Sequence, residues 1–314
     1  MRQFVVKRFL VTIPVMLFVG VVTFFLIQLT PGDPTAFFVS PDATAVEVQQ
    51  VRERMGLEEP IPVRFALWFG NVLQGDLGIS FYGNRPVLQS FLRVLPPTLY
   101  LMVVALTLAI VVAIPIGIVS AIRQNSWIDK SLTVFVLIGV SLPNFWLGML
   151  LVLGFSVTLG WFPAQGFVRP EDDFALSLRH LILPGITLGY SGAALIARMT
   201  RSAMLDVMRQ DYIRTARSKG LRDRVVIYGH ALQNAGPPIL TVIGLTVASL
   251  ISGSVVVEKV FNFPGVGRLV VDSILRRDFP VIQGSLLLIA GATVLVNLVV
   301  DLSYALLDPR IRYD

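Results

Sequence analysis

The chain alternates between long apolar segments and polar stretches along its whole length. Six segments are apolar over about 20 residues, the length that a helix needs to cross the hydrocarbon core of a bilayer. They lie at about 9–29, 98–122, 132–158, 181–200, 237–257 and 282–307. The pattern predicts an all-α polytopic membrane protein with six transmembrane helices.

The fourth apolar segment is the weakest of the six. His180 and Arg198 bound it closely, and it is interrupted by one proline and three glycines: Pro184, Gly185, Gly189 and Gly192. Small residues let helix backbones approach one another within a membrane. We therefore expect this helix to pack against neighbouring helices rather than against lipid.

The third apolar segment contains a helix-breaking position at Pro143-Asn144. Proline frees a backbone carbonyl, and a polar side chain at membrane depth is unfavourable against lipid. Asn144, and Asn297 in the sixth segment, should therefore face protein or water. Two roles remain open for both residues, a hydrogen bond between packed helices or the lining of a pore.

The orientation follows from the distribution of Lys and Arg, which are retained on the cytoplasmic side. With the N-terminus inside, the cytoplasmic pieces are 1–8, 123–130, 198–236 and 308–314. Their density of Lys and Arg is more than twice that of the outside pieces 30–97, 159–180 and 258–281. Both termini are predicted to be cytoplasmic.

The first outside segment, 30–97, is long enough to hold structure of its own. Thr44 and Glu47 fit a capping box, which predicts a helix from about 45 to 55. Pro62 suits a helix start, and a second amphipathic helix follows from the helical spacing of Phe65, Trp68, Phe69 and Leu73. These helices would either cap the extracytoplasmic mouth or dock a substrate-delivery protein.

The domain organisation follows from these segments, and the chain is predicted to fold as one unit. Residues 1–29 form the N-terminal end and first span, and 30–97 form the extracytoplasmic segment. Residues 98–307 form a five-helix core, and 308–314 form a cytoplasmic tail.

Composition agrees with a membrane protein and excludes several kinds of function. Hydrophobic residues make up 54% of the chain and charged residues 15%, against about 25% charged in soluble domains. The net charge of +6 is accounted for by topology, and no basic-aromatic groove for nucleic acid is found. There is no cysteine, which excludes disulfides, cysteine-ligated zinc and thiol catalysis. No P-loop motif is present, so any ATP hydrolysis belongs to another subunit. No catalytic residue, cofactor or metal is expected in this chain.

The most informative polar stretch is 198–236, here called the basic segment. Its basic residues are Arg198, Arg201, Arg209, Arg214, Arg217, Lys219, Arg222 and Arg224. Contact with lipid headgroups is the simpler explanation of this charge. However, Leu205, Met208, Tyr212 and Ala216 recur as on one helical face, and Lys219-Gly220 is a typical helix stop. The pattern predicts a helix that a partner could use as a lever on the fourth and fifth spans.

Several stretches of the chain resemble one family. The basic segment contains DYIRTARSKGL at 211–221, HALQNA at 230–235 and Pro238. Other matching stretches are PGDP at 31–34, Gly56-Leu57, GDLGIS at 75–80, EKVFNFPGVGRL at 258–269 and DPRIRY at 308–313. Together they resemble the permease subunits of ABC transporters, the binding-protein-dependent inner-membrane components of the dipeptide, oligopeptide and nickel (DppB/OppB-like) branch.

The resemblance implies a type I (MetI-like) ABC importer in the bacterial inner membrane. This subunit would pair with a homologous permease, sit on two cytoplasmic ATPase subunits, and receive a peptide, glutathione or a nickel chelate from an extracytoplasmic binding protein. Arg214 and Thr215 stand where the general "EAA" motif has Glu and Ala, so an acid-mediated ATPase contact is not implied. The implied ATPase-coupling residues are Asp211, Tyr212, Arg214, Thr215, Ala216, Arg217, Lys219, Gly220 and Leu221. Among them, small Ala216 and Gly220 are expected to fit an ATPase groove.

Overall fold

The computed structural model describes residues 2–28, 44, 46, 49, 52, 53 and 58–307, which are predominantly helical. In chain order the helices are α1 (Arg2–Gln28), α2 (Ile61–Leu73), α3 (Val87–Ile122), α4 (Trp127–Ser141), α5 (Asn144–Leu151), α6 (Phe174–Met208), α7 (Asp211–Ser218), α8 (Leu232–Val260), α9 (Val266–Arg276) and α10 (Phe279–Leu307). Two π-helical segments are present, Val152–Thr158 after α5 and Val225–Ala231 before α8.

The described residues contain several helices that are suited to a bilayer. Four continuous stretches are long and apolar enough to cross it, namely α3, α6, Val225–Val260 and Phe279–Val299. Helix α4 and the helix that follows it would make a fifth span if the bent pair crosses as one, and Thr12–Phe25 of α1 is a shorter apolar helix. The prediction of an all-helical membrane protein is confirmed. The count of six stays a prediction.

Two spans begin earlier than the hydrophobic pattern predicts. Helix α6 begins at Phe174 rather than 181, because the Asp173 side chain caps it by accepting the Leu176 N–H at 2.9 Å. Helix α3 begins at Val87 rather than 98 and contains Pro96 and Pro97. The proline pair lies inside the helix and does not start it.

The residues group into two compact units. The first is built mainly from Pro96–Arg268, and the second from Leu269–Val294 with the described part of Val6–Leu95. The predicted organisation into 1–29, 30–97, 98–307 and 308–314 stays a prediction.

Helix α6 is the buried helix of the first unit. Of its most apolar stretch 61% is buried, against 28% to 33% for the other three continuous spans. A Cβ added at Gly189 would lie 2.4 Å from the Ala105 carbonyl oxygen of α3. One added at Gly192 would lie 2.4 Å from Thr246 Cγ2 of α8. The predicted packing of this helix against protein through its small residues is therefore confirmed.

The break predicted at Pro143-Asn144 is present. Helix α4 ends at Ser141, Leu142 is extended (φ −81°, ψ 127°), and α5 begins at Asn144. The two helices are bent by 109°. An extended residue before proline is the conformation that the proline ring favours. The third apolar segment is thus two helices rather than the one straight span suggested by 132–158.

A buried ion pair joins the ends of three helices on the side of the basic segment. Asp129, in the first turn of α4, accepts Arg201 Nε at 2.7 Å and Arg201 Nη2 at 2.8 Å. The same carboxylate accepts the Asn125 N–H at 2.9 Å and the hydroxyl of Ser120 at the end of α3. Asp129 is only 3% exposed. The pair therefore fixes α6 to the turn between α3 and α4.

A second buried carboxylate joins α8 to α9. Glu258 is fully buried and accepts Thr98 Oγ1 at 2.7 Å and the Arg268 N–H at 3.0 Å. Thr98 Oγ1 in turn accepts the Val266 N–H at 2.9 Å. The Glu258 carboxyl group therefore provides an acceptor for a backbone N–H in the first turn of α9, where the helix itself has none. A Cβ added at Gly265 would lie 2.2 Å from Glu258 Cδ, which explains a glycine at that position.

The second unit includes α1 and α2. The Phe24 ring of α1 contacts Phe65 and Trp68 of α2, with ring centroids 5.3 Å and 5.6 Å away. The second amphipathic helix predicted for this region is therefore present. Of the first, predicted for 45–55, only residues 46, 49, 52 and 53 are described, and these are helical; the remaining positions lie outside the described residues.

We predict that Gly189→Ala destabilises the folded chain by about 1–3 kcal/mol, the usual cost of overpacking. The added methyl group meets the backbone oxygen of Ala105, which cannot rotate away, so α3 and α6 must separate. Thermal unfolding in detergent measures the effect. Gly70→Ala in α2 is the matched control, because Gly70 is also inside a helix and nothing lies within 4 Å of its new Cβ. Equal melting temperatures for the two variants would contradict the prediction.

We predict that Arg201→Ala lowers the unfolding free energy by roughly 3 kcal/mol, because it leaves the Asp129 carboxylate buried without its cation. The double variant Asp129→Ala/Arg201→Ala should lose much less than the two single losses combined. A double-mutant cycle on chemical unfolding in mild detergent tests this coupling. Arg209→Ala is the control, because Arg209 is exposed and pairs with no other described residue. Simple additivity would rule out the coupling.

Candidate functional site

Helix α7 lies between the long helices α6 and α8. Helix α6 ends at Met208, and Gln210 is extended (φ −73°, ψ 148°) before α7 begins at Asp211. The prediction of one helix through Leu205, Met208, Tyr212 and Ala216 was therefore wrong. The chain turns at Arg209 and Gln210 and starts a new, short helix.

The break also changes which face of the short helix is buried. Ile213 and Ala216 are buried, with 0% and 9% exposure, whereas Tyr212 is 44% exposed. The prediction assumed one continuous helix, in which these four residues share a face. The turn at 209–210 starts a new helix, so the residues after it no longer lie on the same face as those before it. Partial burial raises the pKa of the Tyr212 phenol.

The buried face anchors α7 to its neighbours. Ile213 and Ala216 belong to one apolar cluster with Met204 of α6, Val226 of the π-helix and Ala235 of α8. The cluster continues into α3 through small residues such as Ala113. A force on α7 is therefore passed to both long helices through close-packed side chains.

The end of α7 is defined by a glycine in the left-handed region, Gly220 with φ +79°. Its N–H donates to the Arg217 carbonyl at 2.9 Å, and the Leu221 N–H donates to the Ala216 carbonyl at 3.4 Å. These two bonds form a Schellman cap. The predicted stop at Lys219-Gly220 is confirmed. Nothing lies within 4 Å of a Cβ placed at Gly220, so this corner faces open space.

The outer face of α7 is polar and solvent-exposed. The side chains of Asp211 and Arg214 are 96% and 76% exposed, with 3.5 Å between Oδ1 and Nη1. Arg217 Nε lies 3.9 Å from Asp223 Oδ1. Exposed pairs of this kind contribute little to stability. These side chains can therefore be redirected to a partner at low cost, as can the other exposed members of this surface: Thr215, Lys219 and Leu221.

The structure places the predicted asparagines away from α7. Asn144 is half-buried, and its Nδ2 lies 3.7 Å from the Cβ position of Gly253 in α8. Asn297 is exposed on α10. Among the described residues neither side chain makes a hydrogen bond.

Two features around the site were not predicted. The Asp129–Arg201 pair joins residues 72 positions apart, and only Ser126 at the N-cap of α4 hints at the local turn. Helix α9 falls in the stretch 258–281, which the hydrophobic pattern leaves as a connection. The sequence feature that marks the start of this helix is the spacing between Glu258 and Gly265. That spacing can be recognised only once the buried contact of Glu258 is known.

Two family models match the chain. Residues 113–313 match the binding-protein-dependent transport system inner membrane component. Residues 1–102 match the N-terminal part of the corresponding membrane component. Together they cover nearly the whole chain.

Curated relatives match over their full lengths. A probable peptide ABC transporter permease of Sinorhizobium fredii is 45% identical over 313 residues, covering 100% of both chains. A glutathione transport system permease of Pectobacterium atrosepticum is 44% identical, and an oligopeptide transport system permease of Bacillus subtilis is 42% identical, with the same coverage.

A solved structure shares the fold. An inward-facing MetNI methionine ABC transporter chain matches with a TM-score of 0.60 at 18% identity, covering 70% of this chain and 97% of that one. At this identity the likeness concerns the fold alone. The family and the apolar helices place the protein in the cytoplasmic membrane as a multi-pass protein. The chain belongs to the binding-protein-dependent transport system inner membrane component family and is a permease subunit of an ABC importer, in which partner subunits hydrolyse ATP.

Proposed function

We propose that this permease carries peptides or a related small solute, such as glutathione or a nickel chelate. The printed names of the relatives support a peptide-like solute. The observation that carries the coupling mechanism is α7, a short capped helix with a buried anchoring face and an exposed polar face between two spanning helices. A binding-protein-dependent system supplies the solute from outside.

The proposed assembly contains four further components. A second, homologous permease completes the solute path, and two ATPase subunits bind on the cytoplasmic side. An extracytoplasmic binding protein delivers the solute, and segment 30–97 is its candidate dock. Asn144 and Asn297 are candidates for lining the path, because neither side chain makes a hydrogen bond to another described residue.

The proposed topology has six spanning helices and two cytoplasmic termini. Helix α1, helix α3, the bent pair from α4 to Thr158, helix α6, helix α8 and helix α10 would be the six. The excess of Lys and Arg in 1–8, 123–130, 198–236 and 308–314 supports this orientation. It puts α7 and the Asp129–Arg201 pair at the cytoplasmic side.

In the proposed mechanism the ATPases bind the exposed face of α7. The contact residues are Asp211, Tyr212, Arg214, Thr215, Arg217, Lys219, Gly220 and Leu221. Ala216, first expected to touch the ATPase, is buried and takes the role of an anchor. Closure of the ATPases pushes α7, and its apolar cluster tilts α6 and α8, so that the path opens alternately to the two sides.

We predict that Gly220→Trp abolishes most binding-protein-stimulated ATPase activity in the reconstituted complex. The corner at Gly220 is open in the chain itself, so the added ring obstructs a docked partner, although any side chain at φ +79° also strains the cap. Gly220→Ala is the matched control, because it carries the same positive-φ strain without the bulk. Assembly is followed by co-purification. Full assembly and full stimulated activity in Gly220→Trp would contradict the docking proposal.

We predict that a reporter fused after residue 314 lies in the cytoplasm. Green fluorescent protein should be fluorescent there and alkaline phosphatase inactive, because the first folds in the cytoplasm and the second needs the oxidising side for its disulfides. A fusion after residue 170, in the proposed outside stretch 159–180, should show the reverse. Active phosphatase after residue 314 would disprove the topology.

A further inference from the structure

The connection between α3 and α4 is a short, tight and polar turn between two apolar helices. It consists of residues 123–126, and the Ser126 N–H donates to the Arg123 carbonyl at 3.0 Å. Asn125 is in the left-handed region (φ +63°), and its N–H donates to Asp129 Oδ2 at 2.9 Å. The turn is closed by its own hydrogen bonds, so it cannot extend far from the ends of the two helices.

Exposed apolar side chains border the turn closely on both sides. Val119 and Ile122 are exposed in the last turn of α3, and Ile128 is exposed in the first turn of α4. Helix α3 is long and apolar enough to cross a bilayer, and α4 is so together with the helix that follows it. On spanning helices, exposed apolar side chains face the hydrocarbon core. The turn between them then lies in the headgroup layer, which is about 5–8 Å thick on each side of that core.

Three side chains at this turn suit a headgroup layer, namely Arg123, Trp127 and Lys130, here called the α3–α4 corner. Trp127 is 84% exposed, and Lys130 Nζ lies 5.8 Å from the centroid of its ring. Tryptophan and basic residues are enriched where spanning helices leave the membrane on the cytoplasmic side. Arg123 and Lys130 are exposed, and neither pairs with an acid within the described chain. The neighbouring Asp129 is buried and bound by Arg201, so the corner presents net positive charge.

We propose that the α3–α4 corner binds the headgroup of an anionic phospholipid in the cytoplasmic leaflet. The two cations attract the phosphate group, and the Trp127 indole combines an apolar ring with one N–H donor. An ATPase subunit suits the corner less well, because the turn does not rise above the headgroup layer. The second permease also suits it less well, because two buried cations would each need an acidic partner. The inference rests on the proposed topology of the transporter and not on the identity of its solute.

The absence of cysteine from the chain allows a single fluorescent reporter to be placed at the turn. Gln124→Cys changes an exposed residue and is labelled with bimane. The labelled chain is assembled with partner subunits that lack accessible thiols, in phosphatidylcholine nanodiscs. These contain increasing fractions of a lipid that carries a nitroxide quencher near the top of one acyl chain. The quencher lipid is phosphatidylglycerol, which is anionic, in one series and phosphatidylcholine, which is zwitterionic, in the other.

We expect half-maximal quenching at a lower fraction of phosphatidylglycerol than of phosphatidylcholine quencher. Arg123→Gln and Lys130→Gln should each raise the phosphatidylglycerol fraction at half-maximal quenching by about fivefold, the effect of one basic residue near an anionic headgroup. Neither change should alter the phosphatidylcholine curve, and Arg123→Lys, which keeps the charge, should behave like the parent. Arg209→Gln is the matched control, because it removes an exposed arginine outside the corner, and it should leave both curves unchanged.

Three results would overturn the inference. Absence of quenching by both lipids would mean that another subunit covers the α3–α4 corner. Equal half-maximal fractions for the two lipids would mean that the corner touches lipid without selecting negative charge. An equal shift in Arg209→Gln would assign the preference to general surface charge. Binding-protein-stimulated ATPase activity of the same samples tests the proposed function separately, and the reporter fusions test the topology. A corner without lipid preference in an active complex therefore refutes only the lipid site.

Discussion

The close approach of α6 to α3 and α8 is the constraint on which the rest of the first unit depends. Gly189 meets a backbone carbonyl of α3, and Gly192 meets a side chain of α8, with no room for a methyl group at either place. In a bilayer, helices are held together by close van der Waals packing rather than by exclusion of water. These two contacts fix where α3 and α8 cross α6, the helix that leads directly into α7.

Polar interactions add specificity at the two ends of this bundle. Asp129 and Glu258 are both buried carboxylates, but they are stabilised differently. Asp129 binds a guanidinium group and joins three helices, whereas Glu258 accepts a hydroxyl group and a backbone N–H at the start of α9. Buried polar groups of this kind select one arrangement more than they add stability. The apolar cluster under α7 lies between the contacts that Asp129 and Glu258 make. Helix α7 is therefore a defined part of the bundle and not a flexible connection.

The success of the sequence-based predictions depended on how local each signal was. Pro143 and Gly220 act through their own backbone geometry, so the break and the helix stop were predicted correctly. The packing of α6 was predictable because three small residues lie on one short span. The buried face of α7 was mispredicted, because two residues without glycine or proline, Arg209 and Gln210, interrupt the helix. The pairing of Asp129 with Arg201 depends on residues far apart in sequence, and no local pattern marks it.

The cap formed by Glu258 has a consequence for communication across the bilayer. Helix α8 runs without a break from Leu232, beside the α7 cluster, to Val260, next to this cap, a distance of about 42 Å. A continuous helix that is held at both ends transmits a displacement of either end to the other. The cap at Glu258 and the apolar cluster at α7 are therefore linked by one unbroken helix, and any energetic coupling along it is equal in both directions.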